Sequence, residues 1–119
     1  MKLNIGTSRF TQVTILDAPG HGNAHHSYEI TQAEQENNPP QVFAFVRFQN
    51  GPIKEAGVNG MFNEDLLAIV IHRLQCFQSG PYQCRENALA LTKLEEAMHW
   101  LNARTTNRQA RGVEGTHKI

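Results

Sequence analysis

The stretch Asn63–Arg111, NEDLLAIVIHRLQCFQSGPYQCRENALALTKLEEAMHWLNARTTNRQAR, decides the fold. Leu66, Val70, Ile71, Leu74 and Phe77 recur at helical spacing before the break Ser79-Gly80-Pro81. Asn87, Leu91, Leu94, Met98 and Leu101 recur after it, so two amphipathic helices face one another. Asn63 is expected to cap the first helix, with Glu64 and Asp65 favoured in its first turn by the partial positive charge there. Gly80-Pro81 supplies the stop and the reversal. The second stripe then runs into Arg104, Arg108 and Arg111. One face of the same rod therefore changes from apolar to cationic, and the hairpin spans 63–111 with a tail at 112–119.

Outward from the hairpin, the first half reads as strands. Thr11–Leu16 is rich in β-branched residues and ends at Asp17-Ala18-Pro19-Gly20. Ser27–Thr31 alternates Tyr28 and Ile30 on one face. Gln41–Gln49 is the strongest strand, with Phe43, Phe45 and Arg47 on one face and Val42, Ala44, Val46 and Phe48 on the other. Its two apolar faces predict a central strand. Asn50-Gly51-Pro52 marks a turn, and Ile53–Glu55 is expected to return as a short strand. The whole is read as one α+β domain, 1–119: a small antiparallel β-sheet over 1–58, followed by a long antiparallel two-helix hairpin.

The totals narrow the function. A chain of 119 residues makes one small domain, and stripes this extensive favour burial against a second copy. Zero formal net charge argues against coating of nucleic acid. The charge is nonetheless uneven, because Arg104, Arg108, Arg111 and Lys118 face only Glu114 in the last segment. Cys76 and Cys84 flank the turn and are expected as reduced, partly buried thiols rather than a disulfide framework. The leading MKLNIGTSRF has no uninterrupted apolar run, and no stretch suits a bilayer span, so a soluble cytoplasmic protein is expected.

Catalytic patterns are missing from the sequence. There is no GxSxG elbow, HExxH pair or glycine-rich phosphate loop. Glu95 and Glu96 are consecutive, about 100° apart on a helix, and make no acid/base pair. His21, His25 and His26 match no structural zinc spacing and are expected as surface-loop histidines, so neither a metal nor a cofactor is implied. Binding is the better reading. Arg104 and Arg108 offer forked donors for phosphate oxygens. Arg111, Gly112, Gly115 and Thr116 have the character of an anion-binding turn. A solvated basic tail is the alternative. Asn87, inside an apolar stripe, either fixes helix register or hydrogen-bonds a base; Phe77 either packs or stacks; Arg47 either snorkels or meets an anion.

The runs FQNGPIKEAGVNG, NEDLLAIVIHRLQ, FQSGPYQCRENALALTKLEEAMHWLNART and RGVEGTH resemble the phage Thoeris anti-defence protein one family. That family's hairpin is shared with phage anti-CBASS protein two. The resemblance covers roughly Gln41–His117, and Met1–Pro40 shares only sheet-like character. It implies a sponge in the host bacterial cytoplasm that sequesters an immune signal, glycocyclic ADP-ribose first, without cleaving it. It also implies that Phe77 stacks the adenine, Asn87 hydrogen-bonds it, and Arg104 and Arg108 meet the pyrophosphate. Family members form dimers, and some form hexamers as trimers of dimers. Those also bind cyclic dinucleotides, and cyclic trinucleotides at a second site, for which Arg111, Gly112, Gly115 and Thr116 are the candidates here. No membrane and no nucleic acid polymer is expected as partner. Competing readings are an enzyme that degrades the signal and a homo-oligomer that binds nucleic acid.

Overall fold

A computed structural model describes every residue except Ser8 and Asn37. The elements are β1 (Thr11–Ile15), β2 (Ser27–Gln32), β3 (Val42–Arg47), α1 (Ile53–Ala56), α2 (Asn63–Gln78) and α3 (Arg85–Ala110). They form two compact units, Met1–Met61 and Phe62–Ile119. The expected α+β class, a small antiparallel sheet followed by a helical hairpin, is borne out. No helix among the described residues is long and apolar enough to cross a membrane.

In the first unit the strand order is β1-β2-β3, all antiparallel. Cross-strand partners Ile15, Tyr28 and Val46, and likewise Val13, Ile30 and Ala44, stack on one face because side chains alternate along a strand. Val46 is buried there, and the Phe48 ring meets Tyr28 edge-on at 5.8 Å. On the other face Phe43 and Phe45 are exposed. The expectation that this strand is central is therefore corrected: β2 is central and β3 is an edge. The expected returning strand would have covered that edge, but Ile53–Ala56 is helical. Pro52, at φ −66°, accepts the N–H groups of Glu55 and Ala56, and Gly57, at φ 73°, ends the turn. Proline with its preset φ starts such a turn readily, and glycine leaves it through the left-handed region.

Two features hold the loops of this unit. Gly60 lies flat against the chain after β3, where a Cβ would come within 2.5 Å of the Phe48 backbone. Asp17 collects the histidine loop: its Oδ2 accepts the His26 N–H at 2.9 Å, and its Oδ1 lies 3.6 Å from His25 Nδ1. The histidines thus find the carboxylate that the local sequence did not offer them. His26 is buried rather than a surface residue, its ring Nε2 3.1 Å from the His21 carbonyl oxygen.

In the second unit α2 and α3 pack as a hairpin. Half-buried apolar α2 residues are Leu66, Leu67, Ile71, Leu74 and Phe77, with Glu64 and Gln78 half-buried at the two ends. Val70, expected in the stripe, is 44% exposed; Leu67 lies four residues before Ile71 and takes the seam position. On α3 the inward series is Asn87, Leu91, Leu94, Met98, Leu101, Thr105 and Arg108, alternating steps of four and three as in paired helices. Asn63 does not cap α2. It is the first helical residue, and the Asp65 carboxylate accepts the Phe62 N–H at 2.8 Å instead, a role suited to an acid in the first turn. Cys84 caps α3, its Sγ accepting the Asn87 N–H at 3.4 Å. Gln78 clamps the turn by donating to the Cys84 carbonyl and accepting its N–H, both at 3.1 Å. Both cysteines are exposed free thiols, not partly buried ones, because the seam passes beside them.

The His26 N–H holds the Asp17 carboxyl below its ordinary value of 3.8, against the opposing effect of burial and with help from the Ser27 N–H and the two histidines. A lowered folded-state value stabilises the fold above the unfolded value, and that stabilisation is lost as pH falls through the folded value. Thermal melts taken down through pH 3.8 should show the sheet unit weakening in the parent and a flatter acid dependence in Asp17→Asn. An unchanged acid slope in the variant would contradict this role.

Candidate functional site

The basic end of the hairpin is built by a length difference. α3 has 26 residues and α2 has 16, so after the reversal about ten residues of α3, roughly 15 Å, run past the start of α2. Arg104 and Arg108 stand on this overhang. Arg104 is exposed, whereas Arg108 is only 8% exposed. The arginines therefore do not form a ladder of three free guanidinium groups: Arg108 occupies the seam, one position beyond Thr105.

The Arg108 guanidinium is engaged by the tail. Nε donates to the Glu114 carboxylate at 3.1 Å and Nη1 to the Lys118 carbonyl at 2.6 Å. Nη2 donates to the carbonyls of Val113 and Thr116 at 2.9 and 3.1 Å. A buried guanidinium is tolerable only when its donors are satisfied, and four acceptors from one short segment meet that need. Gly112, at φ 72°, turns the chain after α3, and Val113, the next residue, is buried. Glu114 was not singled out in the sequence; its signal was an acid following a glycine turn, within reach of a seam arginine.

The same folding occupies groups that looked available for an anion. The Gly112 N–H donates to Gln109, and the Thr116 hydroxyl donates to the Val113 carbonyl and accepts the Lys118 N–H. Arg111 reaches the Ile119 main-chain oxygen at 2.9 Å. Gly115, at φ 80°, makes the second turn of the tail. These four residues are brought together, as a structured turn.

Phe77 and Asn87 lie at the opposite, closed end of the hairpin. The Arg73 guanidinium lies 5.1 Å from the Phe77 ring centroid, a cation–π arrangement. Asn87 is half-buried, and its side chain has no hydrogen-bond partner among the described residues. Asn87 and Arg104 are 17 positions apart on one uninterrupted helix, about 25 Å at about 1.5 Å per residue. One chain thus brings together an aromatic and amide pair at the turn, and separately an arginine pair at the overhang. Arg47 stands on the sheet unit, at the exposed end of β3. Among the described residues no group of three metal-ligating side chains occurs.

The Arg108 contacts generate a direct test. Arg108→Ala should release residues 112–119, seen as trypsin cleavage at Arg111 accelerated about tenfold or more, since breaking a buried ion pair costs roughly 3–5 kcal/mol. Glu114→Gln, which keeps the three carbonyl contacts, should release the tail less. Equal protection in the parent and in Arg108→Ala would show that the guanidinium does not tie the tail.

The family model described as the Acb2/Tad1 hairpin domain matches residues 40–106, which takes in β3, α1, α2 and most of α3. A relative, Thoeris anti-defense 1 of Bacillus phage SBSphiJ7, is 63% identical over 75 residues. That alignment covers 63% of this chain and 53% of the relative, so the chain spans about half the length of the curated relative it matches. The resemblance read from the sequence is borne out: the chain belongs to the Acb2/Tad1 hairpin-domain family.

Proposed function

We propose that the chain is a phage immune-evasion sponge that sequesters a cyclic nucleotide signal in the host bacterial cytoplasm and releases it chemically unchanged. Glycocyclic ADP-ribose is the first ligand, with cyclic dinucleotides and cyclic trinucleotides as further ones. The observation that carries this reading is the division of the recognition groups between the two ends of the hairpin. Stacking and base-recognising groups, Phe77 and Asn87, sit at the turn end, about 25 Å or more along the hairpin from the phosphate-recognising Arg104 and Arg108. A single small ligand meets both sets only if a second hairpin packs beside the first in the opposite sense. A twofold axis does this, placing the turn end of one copy against the overhang of the other.

The surface of the hairpin supports such pairing. Ile69, Val70, Leu89 and Trp100 are 44% to 70% exposed, an apolar load that a second copy would remove from water. Trp100 and Tyr82, both largely exposed in the isolated chain, are then subunit-contact residues. The dimer is the minimal unit, and a trimer of dimers is the larger assembly. Arg111, Gly112, Gly115 and Thr116 are the proposed second site, used for the larger cyclic ligands. Enclosure between two copies desolvates stacking and arginine–phosphate contacts, which slows release. No bond in the ligand has to be strained or broken.

Two measurements check this. The protein is incubated with glycocyclic ADP-ribose, separated from free ligand, heated and removed. Intact signal should be recovered in proportion to protein, and a linear product would overturn sequestration. Arg104→Ala should weaken binding by roughly tenfold to a hundredfold, the value of a charge-assisted hydrogen bond at 1.5–3 kcal/mol, while the oligomer persists. Loss of the oligomer in that variant would mark Arg104 as an interface residue instead.

A further inference from the structure

The sheet unit contains a cavity of about 220 Å³, lined by His26, Ser27, Arg47, Phe48, Asn50 and Asn59. We propose that this cavity is a binding site for a phosphoryl dianion, carried by free phosphate or by a small phosphate ester, with Arg47 as its principal recognition group.

The walls are fixed before any ligand arrives. Asn59 accepts the Asn50 N–H and donates to the Asn50 carbonyl, both at 2.8 Å. Its own N–H donates to Gln49 at 2.9 Å, and the Gln49 amide in turn donates to the Gly51 and Gly57 carbonyls. Gly60 seats that loop against the backbone at Phe48 with no room for a side chain. On the other side, His26 is pinned through its N–H to Asp17, through its ring to His21, and through its carbonyl to the Phe48 N–H. Gly20 stands where a Cβ would press on the His26 ring at 3.1 Å. A cavity with both walls held this way needs little ordering on binding.

The groups left over inside it are of one kind. The guanidinium of Arg47, the hydroxyl of Ser27 and the side-chain amide of Asn50 make no hydrogen bond or ion pair among the described residues. Ser27 and Arg47 are directly paired across β2 and β3, so their side chains rise from the same face of the sheet side by side. All three donate hydrogen bonds, and no carboxylate lines the cavity. The nearby acid, Asp17, is turned to the His26 N–H. A forked cation flanked by a hydroxyl and an amide suits an oxyanion. The size limits what is attached: drug-sized ligands occupy roughly 300–1,000 Å³, so a phosphoryl group with at most a small substituent fits.

The inference stands apart from the sponge reading, because every lining residue lies in the sheet unit and its probes are not cyclic nucleotides. Inorganic phosphate, and separately glycerol 3-phosphate, are titrated into the protein at constant ionic strength while backbone amides are followed by NMR. Saturable shifts at Ser27, Phe48, Asn50 and Asn59 are expected with at least one probe. Saturation by phosphate alone assigns the free anion, and saturation by the ester assigns the ester. Arg47→Gln should weaken the response roughly tenfold or more, and Asn50→Ala should weaken it less, with the α2 and α3 amides unchanged in both. Shifts that never saturate, that appear equally with added chloride, or that persist in Arg47→Gln would overturn the site.

Discussion

The inequality of two helices governs this hairpin. Sixteen residues of α2 can cover only part of the 26 of α3, and the seam of α3 does not stop where its partner does. It continues through Thr105 to Arg108, where no α2 residue is left to face it. The tail completes the packing instead, and it does so by polar means: four oxygen atoms on one guanidinium, with Val113 buried alongside. The overhang is therefore a structured end, while Arg104 beside it remains open to solvent.

That arrangement gives Arg108 two competing demands. Within one chain its donors serve the tail, and in the proposed sponge they serve a pyrophosphate. A phosphate competes with the Glu114 carboxylate for the same fork, since each can present anionic oxygen acceptors to the guanidinium N–H donors. The carbonyl contacts from Val113, Thr116 and Lys118 depend on how the tail is bent at Gly112 and Gly115, the two positions where positive φ makes glycine the natural residue. In the proposed sponge, ligand capture and tail conformation are thus coupled through a single side chain.

Much of this was legible in the sequence, for identifiable reasons. The two helices and the turn were marked by spacing and by Ser79-Gly80-Pro81, and strands β1 to β3 by β-branched and aromatic runs. Edge and centre were not legible, because the alternation within β3 reports two apolar faces and says nothing about backbone neighbours. Ile53–Ala56 looked extended by composition, yet Pro52 and Gly57 bracket a helical turn. Val70 and Leu67 differ by three positions in a helix, and periodicity alone did not choose between them. The inward turn of Arg108 is not legible in the sequence because a row of arginines spaced by four and three is equally suited to solvent. Only Thr105, which continues the seam between Leu101 and Arg108, distinguished the buried arginine from its neighbours. Asn87 lies on the inward face, as its position in the apolar stripe predicts, and its unpartnered amide is compatible both with fixing helix register and with hydrogen-bonding a base.

The central claim is that Phe77 and Asn87 of one copy and Arg104 and Arg108 of another complete one site. Subunit complementation tests it most directly. Asn87→Ala and Arg104→Ala proteins, each weak in binding glycocyclic ADP-ribose, are dissociated, mixed in equal amounts and reassembled. In a twofold composite dimer, each mixed pair carries one doubly defective site and one intact site. Tight binding should then return to about one quarter of all sites after random reassembly. A mixture that binds no better than either variant alone would place the contributions of Asn87 and Arg104 within single chains and contradict the account.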